Sequence, residues 1–160
     1  MSAVISGCGR FRYRLDRAWD EPMDGKAGYV AWVMLNPSTA DAERDDPTMR
    51  RCIAFTRSWG YSALSVVNLF ALRATDPKEL RLAPDPTGPD NLAHLIEVTA
   101  GSHVTVAAWG SSWPLPLADY VRRVGAELRQ PGDVMCLGKT GQGDPRHPLY
   151  VKGTTELVPW

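Results

Sequence analysis

Cysteine and histidine are scarce in this 160-residue chain, three of each. Cys8, Cys52 and Cys136 are widely separated and odd in number, with no CxxC pair and no Cys/His set at zinc spacing. That pattern argues against a disulfide framework and against a structural metal, and free thiols suit a reducing cytoplasm. An excess of either charge is also missing: 18 basic residues balance 18 acidic ones. A polycation, and any global attraction to nucleic acid or anionic lipid, are thereby excluded. No apolar run approaches the roughly 20 residues of a membrane span. Residues 1–7 carry no charged segment ahead of a long apolar stretch, so no signal peptide is expected. The glycine-rich phosphate loops GxxxxGK[ST] and GxGxxG are absent, which removes the main support for nucleoside triphosphate or dinucleotide binding. Without repeats or low-complexity segments, residues 1–160 are expected to form one domain.

What is present alternates in character. From Arg10 to Trp19, Phe11, Tyr13 and Leu15 alternate with Arg12, Arg14 and Asp16, a period of two that predicts a half-exposed strand at a sheet edge. Gly25 and Gly28 mark a turn. Four runs then lack alternation: Tyr29 to Leu35, Leu64 to Val67, Val104 to Trp109 and Val134 to Leu137. Such runs suit strands buried on both faces of a parallel sheet. Between them lie helix signals. Asp46-Pro47 is an N-cap followed by proline at the first helical position, and Met49, Cys52, Ile53, Thr56 and Trp59 then share one face up to Gly60. Asp76-Pro77 starts a short helix. Asn91 to Val98 and Leu117 to Leu128, the latter entered through Pro114 and Pro116, are amphipathic. Residues 81–89 read as an exposed connection. The order predicts a three-layer α/β/α sandwich with a central, mainly parallel four-stranded sheet plus an N-terminal edge strand.

In such sheets ligands bind beyond the carboxyl ends of the strands. After the four runs come Asn36-Pro37-Ser38-Thr39-Ala40-Asp41, then Asn68-Leu69-Phe70, then Gly110-Ser111-Ser112, and finally the loop from Gly138 to His147-Pro148-Leu149-Tyr150. Two carboxamides, a glycine turn and an imidazole suit a polar, neutral ring better than a phosphate. Asp41, Glu43, Asp45 and Asp46 are expected to be a solvated loop and a helix start rather than a metal site. His94 and His103 read as packing or surface residues, Trp32, Phe55 and Trp59 as core, and Trp109 as packing behind the site. Phe70 and Tyr150 follow these motifs and are candidates to stack on such a ring. Arg51, Arg73, Lys139, Arg146 and Lys152 are the cations near this edge and the candidates for phosphate contacts.

Two resemblances follow from these residues. Met34-Leu35-Asn36-Pro37-Ser38-Thr39-Ala40-Asp41, Asp46-Pro47-Thr48 and Arg146-His147-Pro148-Leu149-Tyr150 resemble the domain-of-unknown-function 1643 family over nearly the whole chain. Asn36-Pro37-Ser38, Asn68, Trp109-Gly110-Ser111 and His147-Pro148 are similar, in their order, to motifs of the uracil-DNA glycosylase superfamily. That second likeness implies a uracil-DNA-glycosylase-like fold. It also implies hydrolysis of the N-glycosidic bond of a damaged or modified pyrimidine in single- or double-stranded DNA, by base flipping. By the same likeness Asn36 would position the attacking water, since an amide cannot act as a base. Asn68 would read the base edge, with Pro37 and Ser38 beside it, and His147 would stabilise the departing base. Ser111 would join the DNA contacts, and Leu149 or Tyr150 would serve as the wedge. No metal or other cofactor is required, and a monomer without membrane contact is expected. Two rivals stand beside this: a non-catalytic base- or nucleotide-binding module, favoured by asparagine where the more active uracil glycosylases carry aspartate, and a hydrolase of free nucleosides, favoured by the neutral charge.

Overall fold

A computed structural model of the chain describes residues 1–19, 26–38, 40–111, 113, 115–129 and 134–160. Gly25 of the expected turn, Thr39, Ser112 and Pro114 lie outside the described residues. Seven strands form one sheet: β1 (Ser2–Ile5), β2 (Arg12–Ala18), β3 (Lys26–Met34), β4 (Tyr61–Asn68), β5 (Val104–Ala107), β6 (Val134–Cys136) and β7 (Val158–Pro159), in the order β1-β2-β4-β3-β5-β6-β7. The helices are α1 (Pro47–Ser58), α2 (Asn91–Ala100) and α3 (Ala118–Arg129). The fold is therefore a mixed α/β one.

The four non-alternating runs are the four parallel strands, with β3 between β4 and β5, and β6 beside β5. Each fills both sides of the sheet. Val30, Trp32 and Met34 of β3 pack with Met49, Cys52 and Phe55 of α1. Ala31, Val33 and Leu35 pack with Leu95 and Val98 of α2 and Val121 and Val124 of α3. The buried Trp32 indole donates to Thr56 Oγ1 at 3.0 Å, so the one polar atom this ring carries is satisfied by α1.

The sheet edge differs from expectation. β2 is not outermost: β1 pairs along it antiparallel, with Ala3 opposite Leu15, and β2 itself runs antiparallel to β4. β7 adds a further antiparallel edge beside β6. Both added strands are short and mostly exposed, as edge strands commonly are. The Asp76-Pro77 signal gives a single 3-10 turn, Pro77–Arg81, closed by a capping box between Asp76 and Glu79. Residues 81–89 are tied to the segment after β4, with the Ala71 and Leu72 amides donating to the carbonyls of Thr87 and Pro86.

Candidate functional site

The carboxyl ends of the parallel strands open on a cavity of about 530 Å³, a size suited to one nucleoside-scale ligand. Asn36, Ser38, Asn68, Ser111, Arg146, His147 and Tyr150 all border it. Side chains far apart in the chain thus meet at one rim because β3, β4 and β5 end there together.

Asn68 is the last residue of β4 and 1% exposed, yet neither Nδ2 nor Oδ1 has a hydrogen-bond partner among the described residues. A buried amide left so is costly, on the order of 1–3 kcal/mol, and buried polar groups are otherwise almost always paired. Both its donor and its acceptor capacity remain for whatever enters the cavity. Asn36 is different. Its Nδ2 donates to the carbonyls of Ala74 (2.8 Å) and Pro37 (3.1 Å), which spends both donors on holding the loop after β3 against the loop after β4. The amide is thereby oriented, and Oδ1 keeps its acceptor capacity.

His147 enters from the loop after β6 and caps the 3-10 turn Pro148–Tyr150, its Nδ1 accepting from the Leu149 amide at 3.3 Å. Accepting at Nδ1 assigns the proton of the neutral ring to Nε2. Burial lowers the pKa of this imidazole, with Asp46 opposing, so the neutral form with an Nε2–H donor prevails at neutral pH. Gly110 supplies the space. Its φ of 73° favours glycine, and a Cβ there would meet His147 Cβ at 3.4 Å. The Gly110 amide donates to Pro145, fastening the last loop to the end of β5.

The loop between β3 and α1 forms a further wall. Asp41 Oδ1 accepts from the Glu43 and Arg44 amides, which holds its carboxyl below the usual range. Asp45 pairs with the buried Arg17 at 2.7 Å, and Asp46 caps α1 by accepting from the Met49 amide at 2.7 Å. Asp41, Asp45 and Asp46 are thus spent on loop, ion pair and cap, and Glu43 is exposed. Among the described residues no group of three or more His, Cys, Asp or Glu side chains is placed to hold a metal. Cys52 borders the cavity, but burial pushes its thiol pKa up, so it is no thiolate nucleophile at neutral pH.

The other expected residues divide between the cavity and its surroundings. Phe70 is fully buried and packs on Tyr120 with ring centroids 5.0 Å apart, so it braces the sheet rather than facing the cavity. Pro37 is buried in the loop, and its carbonyl accepts from the Ala74 amide. Arg51 donates to the carbonyls of Pro148 and Val151 and lies over the Phe55 ring, fastening the His147 turn to α1. Arg73 is exposed in an adjoining depression. Lys139, Leu149 and Lys152 are exposed and do not border the cavity. Tyr150, 78% exposed, stands at the mouth with its ring 5.5 Å from that of His147. Trp109 borders the cavity rather than only packing behind it, edge-on to Trp160 at 4.6 Å, with its buried indole Nε1 unpartnered among the described residues.

Sequence reasoning missed Arg12. It is the first residue of β2, it borders the cavity, and it is buried. Because β2 runs antiparallel to β4, its first residue arrives at the rim where β4 ends. Only that strand sense, invisible in the alternation, marks it.

A family model described as "Protein of unknown function (DUF1643)" matches residues 12–149. No curated protein and no solved structure matches the chain.

Proposed function

The chain belongs to the DUF1643 family, and from that premise and the cavity we propose that it is a DNA glycosylase that hydrolyses the N-glycosidic bond of a damaged or modified pyrimidine. One observation carries this: a fully buried, unpartnered carboxamide at Asn68 sharing a nucleoside-sized cavity with Asn36 and a neutral imidazole at His147. With the function goes the finer architecture, a three-layer sandwich of the uracil-DNA glycosylase kind, supported by α1 on one face of the sheet and α2 and α3 on the other.

In this mechanism the flipped base pairs its imide edge with both functions of the Asn68 amide. As the C1′–N1 bond breaks, its electron pair passes to the base, and His147 Nε2–H donates to the base oxygen on which negative charge grows. Such a preorganised donor is worth about 3 kcal/mol, or about a hundredfold in rate. Asn36 Oδ1 accepts from a water and aims it at C1′. Its proton leaves to solvent after attack, since the amide takes none.

A screen of single- and double-stranded oligonucleotides bearing varied pyrimidines tests this, read as alkali-labile abasic sites. We expect release of one base, with His147→Ala slower by about a hundredfold and Asn36→Ala slower as well. Unchanged rates in both variants would remove the assigned roles. Binding without product would instead select a base- or nucleotide-binding module, which an amide rather than a carboxylate base at position 36 favours.

A further inference from the structure

Arg12 is 4% exposed, and its guanidinium makes no ion pair among the described residues. One Nη1 donation goes to the Ala40 carbonyl, while Nε is buried without a partner. Burial brings its pKa down to about 10 against the pull of Asp46, so it stays cationic at neutral pH. The other buried arginine of the same strand, Arg17, shows the usual solution: an ion pair with Asp45 and two backbone carbonyls. A buried cation without a contact ion pair is expensive, and here, with Asp46 and Asp41 acting on it only through space, it faces a cavity. Among the described residues bordering that cavity Asp46 is the only acid, and its Oδ1 is engaged by the Met49 amide.

The charge continues outward. A shallower depression of about 490 Å³ adjoins the cavity, sharing Ser38, Ala74 and Thr75 with it, and is bordered by Arg10 and Arg73. Its acid, Glu79, accepts from the Asp76 amide. Basic residues therefore run from the buried guanidinium to the surface on a protein whose formal net charge is zero.

We propose that this flank is a phosphate subsite: the cavity takes its pyrimidine as a phosphate ester, with a phosphate oxygen on the Arg12 guanidinium and a following phosphate of a single strand over Arg10 and Arg73. Arginine's planar fork suits bidentate phosphate contacts. The subsite rests on base recognition at Asn68. Its chemistry is common to a free nucleotide and to a strand.

Calorimetry with wild-type protein tests it, using dUMP, dTMP and dCMP, their nucleosides, inorganic phosphate, and a single-stranded pentamer carrying uracil. At least one monophosphate should bind tenfold or more tightly than its nucleoside. That advantage should vanish in Arg12→Gln, which keeps a donor for Ala40, and return in part in Arg12→Lys. If no monophosphate surpasses its nucleoside, the subsite is overturned, and nucleoside binding would leave base recognition standing. If inorganic phosphate binds as well as every monophosphate, base recognition fails and the pyrimidine-ester subsite falls with it, leaving a bare anion site. The pentamer should bind more tightly than dUMP and lose about tenfold in an Arg10→Gln/Arg73→Gln double variant. Equal affinity would overturn the strand path and assign the site to free nucleotides. Should the Arg12 variants not fold, the wild-type comparison of each monophosphate with its nucleoside still decides.

Discussion

Asn68 is where the proposed base recognition would be set against stability. Its amide is buried without a partner among the described residues, so replacing it with an apolar side chain of similar size relieves a cost. Asn68→Leu should raise stability by about 1 kcal/mol, seen as a rise of about 2–4 °C in Tm for a chain of this size, while base binding is lost. A fall in Tm would show that the amide is satisfied in the free protein. His147 makes stability depend on pH in a defined direction. Burial sets its folded-state pKa below 6.5, so the unfolded chain binds the proton more readily. Its contribution is complete above pH 6.5 and drains as pH falls through the lowered value. Urea titrations should therefore show the gap between wild type and His147→Asn narrowing toward acid. Asparagine can still cap the Pro148 turn, so the comparison isolates the titration. A gap constant with pH would contradict the shift.

At the level of elements, α1 carries one wall of the cavity and begins at a cap that touches it. Asp46→Ala should cost about 1 kcal/mol of stability, measured by thermal denaturation. This start was legible because Asp46-Pro47 is a strong local signal and Met49, Cys52 and Phe55 recur at helical spacing. The parallel strands were legible for a related reason: with both faces covered, Val30 to Met34 carry no polar phase to hide the run. β1 and β7 were not, since a short exposed strand needs no hydrophobic pattern, and β7 contains a proline. Asn36, Asn68 and His147 could be gathered from sequence because each ends or follows a strand that local pattern identifies. Arg12 could not, because in a period-two stretch it takes the polar phase and reads as solvated, whereas the loop carrying Ala40 covers it. Arg51 and Phe70 had the residue types expected of a nucleic-acid site, but packing uses them for the Pro148 turn and for Tyr120.

For the molecule as a whole, the cavity draws on residues from Arg12 to Tyr150, nearly the full span of the fold. No fragment of the sheet holds a complete set of its walls. Occupancy and global folding are therefore linked: a ligand at one hundred times its Kd adds about 2.7 kcal/mol to the folded state. Amide hydrogen exchange should register this far from the rim. The slowest-exchanging protons of β3 and β4, which open only on full unfolding, should slow by about a hundredfold in saturating ligand, as should the loops that touch it. Protection restricted to the segment around His147 would mean that this loop docks as an independent flap. Where all walls are needed at once, a bound molecule becomes a keystone, and deuterium uptake across the entire sheet measures its grip.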